Sequence, residues 1–74
     1  MKNIILWPDY KYYCGHVDAT GPEGSTLYTT RKMCEAKTFD DWSEAYELLD
    51  RIPPLAQIYT LTNKEYFEIK LKGI

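Results

Sequence analysis

The chain has 74 residues and a formal net charge of −2. A chain this short hides only roughly 60% of the surface its unfolded form exposes, so residues 1–74 are read as a single domain without room for an enclosed cofactor pocket. A hydrophobic share of 45% and a charged share of 27% exclude a disordered chain, and a pI of about 5.2 weighs against a grip on duplex nucleic acid, which needs a basic face.

The aromatic share is high at 15%, with seven tyrosines, two tryptophans and two phenylalanines. Tyrosine joins apolar area to a polar tip, which suits a thin core and half-exposed surfaces. In chain order, Asn3 to Trp7 is short, apolar and β-prone and predicts a strand. Pro8-Asp9 marks a turn. Lys11 to Val17 predicts a second strand, with Tyr12, Cys14 and His16 on one face, in a hairpin with the first. Asp18 to Ser25 reads as a loop, holding two glycines and a proline. Leu27 to Thr30 predicts a short strand, Arg31 to Ala36 a helical turn, and Lys37 to Phe39 an extended segment.

The spacing predicts a helix over Asp41 to Ile52. Asp41 caps the free N–H groups, with Glu44 three residues later. Trp42, Ala45, Tyr46, Leu49 and Ile52 recur at helical spacing and predict the buried stripe. Pro53-Pro54 ends the helix. Gln57 to Thr62 reads as a strand, Asn63-Lys64 as a turn, and Tyr66 to Leu71 as a final strand with Phe67, Ile69 and Leu71 on one side.

The fold class that follows is α+β: a small antiparallel sheet of four or five strands, with one amphipathic helix packed on one face. The expected core is Ile5, Trp7, Cys14, Leu27, Phe39, Trp42, Ala45, Tyr46, Leu49, Ile52, Ile58, Phe67 and Ile69. A stretch of this chain, Cys34-Glu35-Ala36-Lys37-Thr38-Phe39, then Trp42 and Glu44-Ala45-x-x-x-Leu49, resembles a pattern of small phage and prophage accessory proteins. The resemblance extends over most of the chain as a strand hairpin, an Ala-Lys-x-Phe segment, a helix and a closing strand. It implies a protein that binds a host protein or blocks a defence system, in the host cytoplasm.

No catalytic signature accompanies that pattern, and a non-enzymatic role without cofactor is expected. Cys14, His16 and Cys34 carry metal-ligand types, but a structural zinc site needs four ligands, so two reduced, half-buried thiols are expected instead. Thr20 to Thr26 lacks the lysine of a phosphate loop. The apolar run Ile4 to Trp7 is too short for a signal core of roughly 7–15 residues or a span of about 20. A cytoplasmic location and no membrane partner are therefore expected.

Charge supplies the binding candidates. From Glu35 to Asp50 six acidic residues face one basic residue, Lys37. Asp40, Glu44, Glu47 and Asp50 are the candidate acidic docking face for a host protein, because like-signed clusters speed encounter with an opposite surface. Tyr12, Tyr13 and Tyr66 are the candidate aromatic anchors, drawn from a surplus of tyrosines of which some must lie exposed on the outer face of the sheet. Lysines interleaved with strand tyrosines give a second partner class, single-stranded nucleic acid. An unpaired edge strand offers a route to a homodimer.

Overall fold

The computed structural model describes the backbone of residues 1–18 and 25–74, and the side chains of residues 1–15 and 27–74. The chain runs β1 (Lys2–Leu6), β2 (Tyr12–Asp18), β3 (Ser25–Thr30), a 3-10 turn at Met33–Glu35, and α1 (Trp42–Leu48) with a 3-10 extension at Leu49–Arg51. It ends with β4 (Gln57–Leu61) and α2 (Asn63–Lys72). The four strands form one antiparallel sheet in the order β3-β2-β1-β4. The α+β class is therefore the fold, with two helices rather than one.

β1 is the central apolar strand, and its neighbouring isoleucines point to opposite faces. Ile5 and Trp7 join Tyr13, Phe39 and Ala45 in one core, against which Leu48, Leu49 and Ile52 of the α1 segment pack. Ile4 joins Tyr12, Ala36 and Leu61 in the other, against which Met33, Tyr66 and Ile69 pack. The sheet is thus covered on both sides, by α1 on one and by α2 with the Met33–Glu35 turn on the other.

The β1–β2 connection is a three-residue hairpin. Tyr10 N–H donates to the Trp7 carbonyl at 3.0 Å and Trp7 N–H to the Lys11 carbonyl at 2.9 Å. Tyr10 holds φ 63°, the left-handed position such loops require after their turn. Along β2 and β1 the strands then part. Lys37 N–H donates to the Tyr13 carbonyl, and Asn3 and Phe39 exchange a pair of backbone bonds at 2.8 and 2.9 Å. The extended segment predicted at Lys37 to Phe39 thereby fills the fork between β1 and β2. The Asn3 amide, buried there, donates to the Phe39 carbonyl and accepts from Thr60 Oγ1.

A β-bulge in β2 sets two residues, Cys14 and Gly15, against one on β3, and Gly15 takes φ 144°. The bulge interrupts the alternation expected for Tyr12, Cys14 and His16. The His16 side chain and most of the Asp18 to Ser25 loop and of the Thr20 to Thr26 stretch lie outside the described residues.

Two expectations are corrected. Tyr66 to Leu71 belongs to helix α2. Its ends are locally encoded: Thr62 Oγ1 accepts from Glu65 N–H and the Glu65 carboxylate accepts from Thr62 N–H, each at 3.1 Å, a reciprocal capping box. At the other end Gly73 takes φ 68° and its N–H closes on the Ile69 carbonyl. Tyr66 and Ile69, three apart, face the sheet, so Phe67 faces out.

The buried stripe of α1 is also rotated from the expected one. Ala45 is fully buried, and a side chain that small lets the helix backbone approach β1 closely. Leu48, Leu49 and Ile52 complete that stripe. Trp42 and Tyr46 are left at its edge, 51% and 57% exposed.

Candidate functional site

Helix α1 is held at its start by Asp41, whose carboxylate accepts from both Ser43 N–H at 3.0 Å and Ser43 Oγ at 2.8 Å. Those bonds hold the Asp41 carboxyl below its ordinary pKa, the side-chain bond first and the backbone bond second. Beyond this cap, Glu44, Glu47 and Asp50 line one shallow hollow together with Leu48 and Arg51. All three carboxylate residues are exposed. The sequence-predicted acidic face exists as a surface at these three positions.

Beside it, Trp42 and Tyr46 stack on each other, their ring centroids 4.9 Å apart and their planes at 19°. They are one helical turn apart, and Asp50 follows Tyr46 by one more turn, so the aromatic pair adjoins the acidic hollow. Two half-exposed aromatic rings on an acidic helix form the most distinctive surface of the molecule. Sequence reasoning assigned both rings to the core. The signal that separates them is residue size: Ala45 and Leu49 can face a close sheet, and a tryptophan beside them cannot.

The other predicted residues are not brought to this surface. Asp40 pairs with Lys2, Nζ to Oδ1 at 2.7 Å. That pairing lowers the Asp40 pKa and raises that of Lys2, with the side-chain hydrogen bond the larger cause in each. Tyr66 is half-buried under α2, with the Lys2 and Lys70 ammonium groups 6.0 and 5.6 Å from its ring centre. Tyr12 and Tyr13 are buried, one in each core, which corrects their placement as exposed anchors. Neighbouring residues on a strand covered on both sides both go inside, and the second cover comes from α2, which the strand reading of that segment had removed.

The Cys14 thiol differs in setting from a reactive cysteine. Cys14 and Cys34 are free and half-buried. Burial, and then the nearby Glu35 carboxylate, push the Cys14 thiol up, away from the thiolate that nucleophilic chemistry needs. Among the described residues, no three His, Cys, Asp or Glu side chains gather as a metal site. No helix among them is long and apolar enough to cross a membrane.

An apolar groove lies at one end of the sheet. Trp7, Pro8, Leu27, Pro53, Pro54 and Leu55 line it, with Asp9 and Lys11 at its rim. Its volume is about 460 Å³. Trp7 Nε1 donates to the Pro53 carbonyl at 3.2 Å, which ties the two walls together.

No family model matches the chain. Neither a curated protein nor a solved structure matches it. The functional reading therefore rests on the surfaces themselves.

Proposed function

We propose that this is a small non-enzymatic interaction protein, which binds and modulates or inhibits a host or defence protein through the acidic and aromatic face of α1. The observation that carries the reading is the Trp42–Tyr46 stack, half-exposed one turn before Asp50 on a helix whose exposed side also carries Glu44 and Glu47. A buried polar group or an exposed large apolar patch is the informative departure from ordinary burial. Tryptophan and tyrosine lead the residues that carry binding energy at interfaces. Flanking carboxylates select a basic partner surface and steer its approach. The resemblance to phage accessory proteins supplies the class of partner, and the surface supplies the chemistry that would recognise it.

Single-stranded nucleic acid is the weaker reading. Of the strand tyrosines, Tyr12 and Tyr13 are buried, while the exposed Tyr28 and Tyr59 sit on β3 and β4 at opposite edges of the sheet. Stacking successive bases needs rings that share one platform.

Capture from host lysate with wild type, Trp42→Ala and Glu44→Lys/Glu47→Lys tests the proposal. A polypeptide retained by wild type, lost with both variants and released by salt supports it. Equal recovery by all three, or recovery of nucleic acid alone, overturns it.

A further inference from the structure

We infer that the face of α2 is a second docking surface, and that its occupant is the α1 face of another copy of this chain. Helix α2 carries a stripe that its own sheet does not use. Phe67 and Leu71, one helical turn apart, are 63% and 72% exposed. Tyr66 and Ile69 already cover the sheet from the same helix. The stripe is held in place at both ends. The capping box fixes the start of the helix, and the Ile74 carbonyl accepts from Cys34 N–H at 3.0 Å.

The charge around this stripe is the opposite of that around α1. Lys64, Lys70 and Lys72 lie on the helix, and Arg31 lines the adjoining hollow with Tyr12, Met33, Ile69 and Ile74. Against Lys64, Lys70, Lys72 and Arg31 the helix carries two carboxylates, Glu65 and Glu68, which leaves a basic excess. On the α1 segment Asp41 is engaged as the cap, which leaves Glu44, Glu47 and Asp50 against Arg51. Each surface thus joins exposed large apolar side chains to an excess of one sign, and the signs are complementary. Both halves of the interface are present in one chain.

The faces cannot meet within a molecule, because they cover opposite sides of one sheet. A closed two-fold pair cannot satisfy both either, because the two faces point away from one another across the sheet and one neighbour cannot lie on both sides. Head-to-tail contact leaves one free face at each end and grows with concentration. An α1 face bound this way is unavailable to a foreign partner, so self-association and the partner binding proposed above, on which this competition rests, compete for each α1 face.

Sedimentation velocity over a concentration series tests this with two variants. Phe67→Ser/Leu71→Ser removes the α2 stripe at exposed positions, and Glu44→Lys/Glu47→Lys reverses the α1 face. Wild type forms oligomers that grow with concentration. Raising salt from about 0.1 M to about 1 M shortens the screening length from about 10 Å to about 3 Å and weakens the association about tenfold or more. Each variant alone is monomeric. Mixed, they form a one-to-one complex, since each keeps the face the other lacks. Lys64→Glu/Lys72→Glu, which spares the apolar stripe, gives the same complementation where the serine variant fails to fold. A wild type that stays monomeric throughout overturns the inference. So does a dimer that survives in every variant, which would place the contact at a sheet edge. Capture of a host protein through α1 by a strictly monomeric wild type would sink this inference and leave the proposed function standing. Complementation without any α1-dependent capture would do the reverse.

Discussion

The two helices flank the same sheet and differ in how their sequences announce them. Helix α1 spans 7 residues and α2 spans 10. α1 docks through a buried alanine and carries its aromatics outward among carboxylates. α2 docks through Tyr66 and Ile69 and carries Phe67 and Leu71 outward among lysines. In each case the sheet takes one stripe of the helix and leaves a second apolar stripe in water. A 74-residue chain has few apolar residues to spare, so two leftover stripes of opposite charge mark the helices as surfaces as much as core covers.

The largest expected effects separate core from surface. Ile5 and Ile4 are adjacent on β1, and each is fully buried in a different core. Truncation of either to alanine costs about 2–5 kcal/mol, the usual range for a buried isoleucine. Trp42→Ala costs less, about 1–2 kcal/mol, because half of the side chain is already in water and a buried tryptophan would cost about 3–5 kcal/mol. Urea denaturation of the three variants checks the order. A Trp42→Ala loss equal to that of Ile5→Ala would return Trp42 to the core and remove the binding surface.

A smaller effect tests why α2 was hidden in the sequence. Tyr66 to Leu71 alternates apolar and polar residues, and that period reads as a strand. The boundary residues say otherwise: Thr62-Asn63-Lys64-Glu65 has the spacing of a capping box and Gly73 that of a helix stop. Ten residues with outward and inward apolar stripes mimic period two over a short window, and only the caps distinguish the cases. The sheet, the α1 segment and the acidic residues were legible because Pro8, Asp41 and Pro53-Pro54 punctuate them. The burial of Tyr12 was not, because it depends on α2 lying across that face of the sheet, whereas Tyr13 is buried in the core under α1. Thr62→Ala removes the hydroxyl acceptor and costs about 1 kcal/mol, with loss of helical signal confined to α2. A variant that melts like wild type would show that packing of Tyr66 and Ile69 holds α2 without its cap.

The smallest effect is a pH dependence that both helix starts share. Asp41 at α1 and Glu65 at α2 are held below their ordinary pKa by hydrogen bonds, from Ser43 and Thr62 respectively. A carboxyl lowered on folding contributes stability above its unfolded pKa and loses it as pH falls through its folded value. Both losses, and that of Asp40 with its Lys2 partner, fall below roughly pH 4, the ordinary carboxylate range. Lys2 has the opposite sign. Its raised pKa contributes fully below the ordinary lysine value and is lost as pH rises through its folded value, above about pH 10.4. Stability therefore forms a plateau with one limb in acid and another in alkali. Asp41→Asn and Glu65→Gln keep an acceptor at each helix start and remove its titration, so denaturation midpoints in acid should fall less steeply in each, and least in the pair. Lys2→Met should flatten the alkaline limb and, by freeing Asp40, part of the acid limb as well. An acid limb unchanged in every one of these variants would mean that other carboxylates govern it, and that neither cap is formed as described.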